Sequence, residues 1–317
     1  MSDDKFTFNF DLPEKSHIQP KLLTPDAVIN FRCYPGISCY NACCKCADIT
    51  LTPYDVIRLK KRVGKTSTEF LKDHTVPFTM DADGVPGVKL RTTDAGACLF
   101  MDEKIGCTVY TDRPTACRYY PLGNMAMKHA EQKHEQQHFV LIKEEHCKGH
   151  DEPRPIKILD YRAEQNIEEY DGHNKEYFQL ILKKKSAGPA LGRPAPMSLQ
   201  LFFMACFDPD RFRRFVLSDA FKKNYDLEAS VYEKIADNDI ELMYLGFRLL
   251  RQVLFAEASI KEHEGALEKR LEERQEVIEM RRKAEIAQAR ANDPYQAYKA
   301  EVEAEDIAEK DKKNRKE

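Results

Sequence analysis

Nine of the ten cysteines in this chain lie between Cys33 and Cys147, and the last 170 residues hold only Cys206. No other feature restricts the fold as strongly. Cys33, Cys39, Cys43, Cys44 and Cys46 are spaced C-x5-C-x3-C-C-x-C, with Pro35, Gly36 and Asn41 supplying turn chemistry. Such a loop can aim several sulfurs at one centre. Cys98, Cys107, Cys117 and Cys147 follow at wider intervals and come from separate elements that converge only in the fold. Adjacent Cys43 and Cys44 diverge by about 180° on a strand or about 100° on a helix, so one ion rarely takes both. Either they serve different centres, or one ligates while the other packs or reacts.

Thiolates at this density suit Zn2+ or an iron–sulfur cluster rather than Mg2+ or Ca2+, because soft sulfur selects those centres. The 317 residues carry 50 Lys+Arg against 53 Asp+Glu, a net charge of −3, which argues against a nucleic-acid binder that works by charge alone. No apolar run reaches the roughly 18 residues needed to span a bilayer. The opening MSDDKFTFNF places two acids where a signal peptide has a basic region. The expectation is a cytoplasmic protein, with no nucleic acid and no membrane among its partners. In that compartment clustered cysteines more often bind metal than form disulfides. Cys206, inside the apolar run LFFMACF, reads as an inert buried thiol.

Four regions are expected: an arm over 1–25, a cysteine-cluster domain over 26–152, a helical domain over 153–257, and a charged tail over 258–317. Phe6, Phe8 and Phe10 alternate as in a short strand. LTPYDVIRLKKRVG predicts a helix with Thr52 as N-cap, Pro53 at its first position, Asp55 in the first turn, Val56, Leu59 and Val63 on one face, and Gly64 as stop. A second short helix, capped by Ser67, follows. From Asp81 the segments VPGVKLRTT, CLFM and IGCTVY read as a small antiparallel sheet, with a further strand over 138–145. Helices are predicted near 158–184, 198–217, 228–237 and 239–257, with SAGPALGRPAP at 186–196 as a linker. The last 60 residues hold 14 basic and 16 acidic side chains. Their thin apolar stripe of Ile260, Leu267, Leu271 and Ile278 favours one long solvated helix with a disordered end; a short coiled coil or partner-binding arm is the alternative. The fold class is α+β: an irregular cysteine-cluster domain with short helices and a hairpin sheet, then helices, then the long charged helix.

FRCYPGISCYNACCKCADITLTPYDVIRLKKRVG, then ACLFMDEKIGCTVYTDRPTACRYYPLG, then EEHCKGH resemble the YkgJ-type cysteine-cluster proteins, named for a zinc- or iron-chelating domain. The pattern shared is Cys-x3-Cys-Cys, an L-T-x-x-D helix start, Gly-Cys-x-x-Tyr, R-P-x-x-C-R-x-Y-P and a later Cys-x-Gly, over about Phe31 to Gly149. This resemblance implies Cys33, Cys39, Cys43, Cys44, Cys98, Cys107, Cys117 and Cys147 as the metal ligands, with Cys46 and Cys206 outside the set. It implies zinc, an iron–sulfur cluster, or mononuclear or multinuclear iron as the cofactor. LFFMACFDPDRFRRFVLSDAF looks like an extension of longer members. Two departures stand out: the first spacing is wider than in the shortest members, and Cys46 adds a thiol after the pair. Such proteins are often labelled iron–sulfur oxidoreductases, and a flagellin lysine methylase carries a similar cluster.

Eight cysteines can complete one four-thiolate centre and leave four for a second centre, or for resolving and structural thiols. A closed zinc site contributes folding energy, whereas an iron–sulfur cluster offers electron transfer. Arg32, Arg113 and Arg118 could offset thiolate charge, or could stack on Tyr110, Tyr119 or Tyr120. His129, His134 and His138 form a run that reads as an exposed hairpin tip, while His146 and His150 flank Cys147 as candidate supporting groups. No G-x-S-x-G, P-loop or G-x-G-x-x-G is present. The chain reads as a metal-binding protein whose catalysis is left open, a cluster-dependent modifying enzyme and a zinc-stabilised adaptor being the alternatives. A protein partner would engage the charged C-terminal helix.

Overall fold

The computed structural model describes residues 16–127, 136–187, 194–269 and scattered positions over 272–287. The Phe6–Phe10 alternation, His129, His134 and most of the expected charged C-terminal helix lie outside the described residues. Over the described part the class is α+β, with small antiparallel sheets and many helices.

The helix Pro53–Arg62 forms where the local sequence demands it. Thr52 and Asp55 make a reciprocal capping box, Pro53 occupies the first turn, and Lys60, Lys61 and Arg62 complement the last. The chain then turns at Gly64, whose φ of +65° is costly for any residue with a Cβ. The face toward the core buries Tyr54, Val56, Ile57 and Leu59. The next helix, Ser67–His74, is capped by Thr66 rather than Ser67. Thr66 and Glu69 form a second capping box, which frees Ser67 to turn inward, where its hydroxyl donates to Asp208 at 2.6 Å.

The strand residues expected beyond Asp81 divide between two sheets. Pro86–Leu90 pairs antiparallel with both Thr50–Leu51 and Thr75–Thr79, while Met101–Asp102 pairs with Gly106–Cys107. Leu122–Met127 pairs with Gln136–Leu141, which accounts for the strand expected near His138. Val28–Asn30 pairs with Pro155–Lys157 and so closes the cysteine-bearing segment end to end. Beside that closure Ile29, Phe31, Tyr119, Leu122, Phe139, Ile156, Ile158, Tyr161 and Ile167 form one apolar cluster.

The long helix expected near 158–184 is broken into Ile158–Glu164 and Ile167–Ala187, because Asn166 takes φ +52°. The next divides into Pro196–Phe207 and Pro209–Val216, with Asp208 capping the second and Pro209 unable to continue the first. Ala229–Asp237 and Asp239–Phe255 follow, the latter capped by Asn238. Phe202, Phe207, Phe212, Phe247 and Leu250 are buried where these helices meet. Polar ties join them to the cysteine half: Lys60 Nζ lies 3.1 Å from Asp210 and 2.8 Å from Asp239.

Two compact units result. The first takes in the described residues from Ser16 to Phe221 together with Leu227–Ile260. The second combines Lys222–Asp226 with the described residues from Lys261 onward; in it Tyr225 bridges to Glu262, the Asp226 N–H donates to the Lys261 carbonyl at 2.8 Å, and residues 266–269 are helical.

Candidate metal centre

The eight candidate cysteines lie on five stretches of chain, several of which are tied to one another by hydrogen bonds. Cys33 follows the strand Val28–Asn30, and the Arg32 N–H donates to the Gly149 carbonyl at 3.0 Å. That bond lays Cys33 beside the turn bearing Cys147. Only glycine fits there: a Cβ on Gly149 would meet the Phe31 ring at 2.8 Å and the Arg32 carbonyl at 2.9 Å. Cys39 Sγ accepts from the Lys148 N–H at 3.2 Å, which brings the first loop onto the same turn.

Cys43 and Cys44 sit on the single helical turn Ala42–Lys45, entered through Asn41 at φ +64°. Their sulfurs are 3.9 Å apart. The Cys98 N–H donates to the Cys44 carbonyl at 2.8 Å, and the Met101 N–H to the Cys98 carbonyl at 3.0 Å. Met101 is in turn the strand partner of Cys107. Cys117 arrives on the helix Thr115–Tyr119. None of the ten cysteines forms a disulfide, and Cys206 is buried apart from the others.

The thiols act on one another electrostatically. Burial pushes Cys33 up to about 11, and the charges of Cys43, Cys39 and Cys147 add to the rise. Burial raises Cys117 well above its ordinary range, with Cys98 and Cys107 contributing. Cys98, Cys107 and Cys147 also move up, burial being the largest cause in each. Between the adjacent pair the shared hydrogen bond lowers Cys43 and raises Cys44. Burial is the main reason these thiols resist ionisation, their mutual charges add to it, and a bound cation would oppose both.

The basic residues divide in their roles. Arg32 stacks over Tyr34 at 4.8 Å and Arg113 over Tyr110 at 4.2 Å. Arg113 also lowers Cys33, Cys43, Cys107 and Cys117 through its charge, so it serves both readings entertained for it. Arg118 is buried and structural in the main: it donates to the carbonyls of Arg113, Gln165 and Thr111 at 3.0, 2.7 and 2.6 Å and stacks over Tyr170 at 4.0 Å. His150 packs on Phe31 at 5.2 Å between ring centroids, and His146 lies 3.6 Å from Glu144.

A contact that spacing alone does not announce lies behind the cluster. Asp55 supports the Cys117 helix as well as its own, through Thr115, and Thr115 also accepts from Asn174 at 3.0 Å. The L-T-x-x-D and R-P-x-x-C segments that resemble one family pattern are therefore bonded to each other.

Among the described residues no three Cys, His, Asp or Glu side chains are gathered tightly enough to hold an ion as they stand. The donors nonetheless fit zinc or iron in their chemistry: eight soft thiols, partly buried, mutually repelling when ionised, with a guanidinium close by.

Comparison with known proteins agrees on this segment. Residues 32–148 match the CxxCxxCC family model, described as a putative zinc- or iron-chelating domain. That segment is thus similar to a cysteine-cluster domain whose description names zinc or iron chelation. No curated protein and no solved structure matches the chain. No helix among the described residues is long and apolar enough to cross a membrane.

Proposed function

We propose that this protein binds zinc or an iron–sulfur cluster through Cys33, Cys39, Cys43, Cys44, Cys98, Cys107, Cys117 and Cys147. Residues 26–152 form the binding part, and the helices over 153–257 brace it. One observation carries the reading: thiol-bearing turns from separate stretches of chain are tied to one another, the Lys148 N–H to the Cys39 sulfur at 3.2 Å and the Cys98 N–H to the Cys44 carbonyl at 2.8 Å, with the Cys43 and Cys44 sulfurs 3.9 Å apart. A reducing compartment such as the cytoplasm, where clustered thiols more often bind metal than oxidise, suits this reading. Bound metal would replace thiol protons and contribute directly to folding free energy; a cluster would add electron transfer.

Anaerobic purification of the full chain, followed by analysis for iron, zinc and acid-labile sulfide with a visible spectrum, tests this. Iron with sulfide and a chromophore bleached by dithionite identifies a cluster, and zinc without colour a closed thiolate site. Metal-free, folded protein whose stability is unmoved when Cys43, Cys44, Cys107 and Cys117 are replaced by Ser contradicts the reading.

A further inference from the structure

We propose that Tyr40 and Asn41 are positioning residues of the metal centre: they fasten the turn bearing Cys43 and Cys44 to the hairpin bearing Cys107, and Gly106 leaves the space they need. The proposal rests on the thiol-chelation reading above and adds which side chains other than cysteine hold ligand-bearing segments in register.

Tyr40 and Asn41 lie between Cys39 and Cys43, and Gly106 lies directly before Cys107. The Tyr40 hydroxyl donates to the Ile105 carbonyl at 3.2 Å, and Asn41 Nδ2 donates to the Asp102 carbonyl at 3.2 Å. Both carbonyls belong to the turn of the hairpin, in which the Asp102 carboxylate accepts from the N–H groups of Lys104 and Ile105 at 2.8 and 3.0 Å and Asp102 pairs with Gly106. The first cysteine loop therefore grips this turn at two points. Gly106 is buried against the grip. Its φ of +85° already disfavours a side chain. A Cβ there would also collide with the Tyr40 hydroxyl, lying 2.9 Å from the ring carbon that bears it and 3.3 Å from Asn41 Oδ1. The glycine of the Gly-Cys-x-x-Tyr segment thus has its partners in the first cysteine loop.

Asn41 also acts on its own side of the contact. Its φ of +64° leads the chain into Ala42–Lys45, and its carbonyl accepts from the Cys44 N–H at 3.0 Å. Asparagine is one of the few residues with a Cβ that adopt this backbone readily. Beyond the turn, the Cys98 N–H donates to the Cys44 carbonyl at 2.8 Å and the Ala47 N–H to the Gly96 carbonyl at 3.1 Å. The bonds made by Tyr40, Asn41, Cys44 and Ala47 join the two segments without using a sulfur. Among the described residues no three donors stand close enough to hold an ion, so uptake requires sulfurs to move. With the backbone held in this way, that movement is a rotation of side chains, the role groups behind a metal's ligands commonly serve.

The test is anaerobic titration of the full chain, stripped of metal and reduced, with Co2+, whose thiolate charge-transfer bands report sulfur ligation, followed by displacement with Zn2+ for affinity. Asn41→Ala and Tyr40→Ala should each weaken Zn2+ binding about 10–100-fold and alter the Co2+ bands. Gly106→Ala should do the same, and its combination with Tyr40→Ala should lose less than the product of the two single losses, because the clash is relieved. Asn41→Gly keeps the backbone and drops the amide bond, so it should fall between wild type and Asn41→Ala. Thr66→Ala removes the cap of the helix Ser67–His74; it should lower stability and leave affinity and bands unchanged. Circular dichroism identifies any variant that does not fold, and Asn41→Gly is the mildest of them. Folded Asn41→Gly and Tyr40→Ala chains that bind Zn2+ as tightly as wild type, with unaltered Co2+ bands, overturn the proposal and leave thiol chelation standing; so does an equal loss of affinity in Thr66→Ala. A wild-type chain that shows no thiolate charge-transfer bands overturns the chelation reading as well.

Discussion

The buried carboxylate of Asp55 accepts hydrogen bonds from both the backbone N–H and the hydroxyl of Thr115, at 2.8 and 2.7 Å, across sixty residues of sequence. Its other oxygen accepts from the Thr52 N–H at 2.9 Å. One side chain therefore caps the helix that follows the first cysteine loop and fixes the start of the helix that presents Cys117.

Replacing Asp55 tests that double role. Asp55→Asn keeps one acceptor oxygen and loses the other, which should cost about 1–3 kcal/mol. Asp55→Ala leaves three buried donors unpaired and should cost about 3 kcal/mol or more. Denaturant unfolding measures both, and metal content should fall along with stability in the Ala variant. Changes below about 0.5 kcal/mol, the range of an ordinary surface substitution, would refute the role.

Arg118 is 5% exposed and satisfies three carbonyls and the Tyr170 hydroxyl while stacking on the Tyr170 ring. Lysine has fewer donors and no planar group to stack. Arg118→Lys should therefore cost about 2–4 kcal/mol, seen as a lower denaturant midpoint with an unchanged slope. A variant as stable as wild type would show that the four bonds carry no net weight.

His74 is sandwiched between Phe70 and Phe100, with ring centroids 5.4 and 5.3 Å away and planes within 7°. Burial holds it below its ordinary value of 6.5, so the folded state prefers the neutral ring. A depressed pKa gives stability that is present above the unfolded value and lost as pH falls through the folded one. Unfolding measured from pH 8 to pH 5 should show declining stability below about pH 6.5, and His74→Phe should flatten that limb. An identical pH profile in the variant would exclude His74 as the source.

The thiols should differ sharply in reactivity. Cys206 is 2% exposed and burial raises it well above the ordinary thiol range, whereas Cys43 is exposed and lowered by Cys44. In metal-stripped native protein, iodoacetamide followed by mass spectrometry should find Cys43 alkylated early and Cys206 only after unfolding. Labelling of Cys206 at the rate of Cys43 would contradict the packing of the helix Pro196–Phe207.

What the sequence announced was local. Thr52, Pro53 and Asp55 predicted a helix start that the capping box reproduces, because all the bonds involved lie within four residues. The cysteine segments were equally plain, since turn residues and ligand spacing sit side by side. The helix expected over 198–217 ran through Pro209, although that residue has ordinary helix-stop chemistry, and the one expected over 158–184 ran through Asn166, whose φ of +52° has only a weak local signal. Other features had no local trace. Val28–Asn30 and Pro155–Lys157 are three residues each and pair across most of the cysteine segment. Ser67 looked like a cap because Thr66 beside it has the same chemistry, and only the distant Asp208 reveals which of the two turns inward. The pairing of Thr115 with Asp55 belongs to the same class of long-range contact.

The central claim is that metal in this protein is held by sulfur from the cysteine segment. X-ray absorption at the metal edge of the protein as purified without oxygen measures the donor atoms directly. The account predicts a nearest shell of sulfur alone, at about 2.3 Å for zinc. A shell dominated by nitrogen or oxygen, or one unchanged when Cys107 and Cys117 are both replaced by Ser, would contradict it.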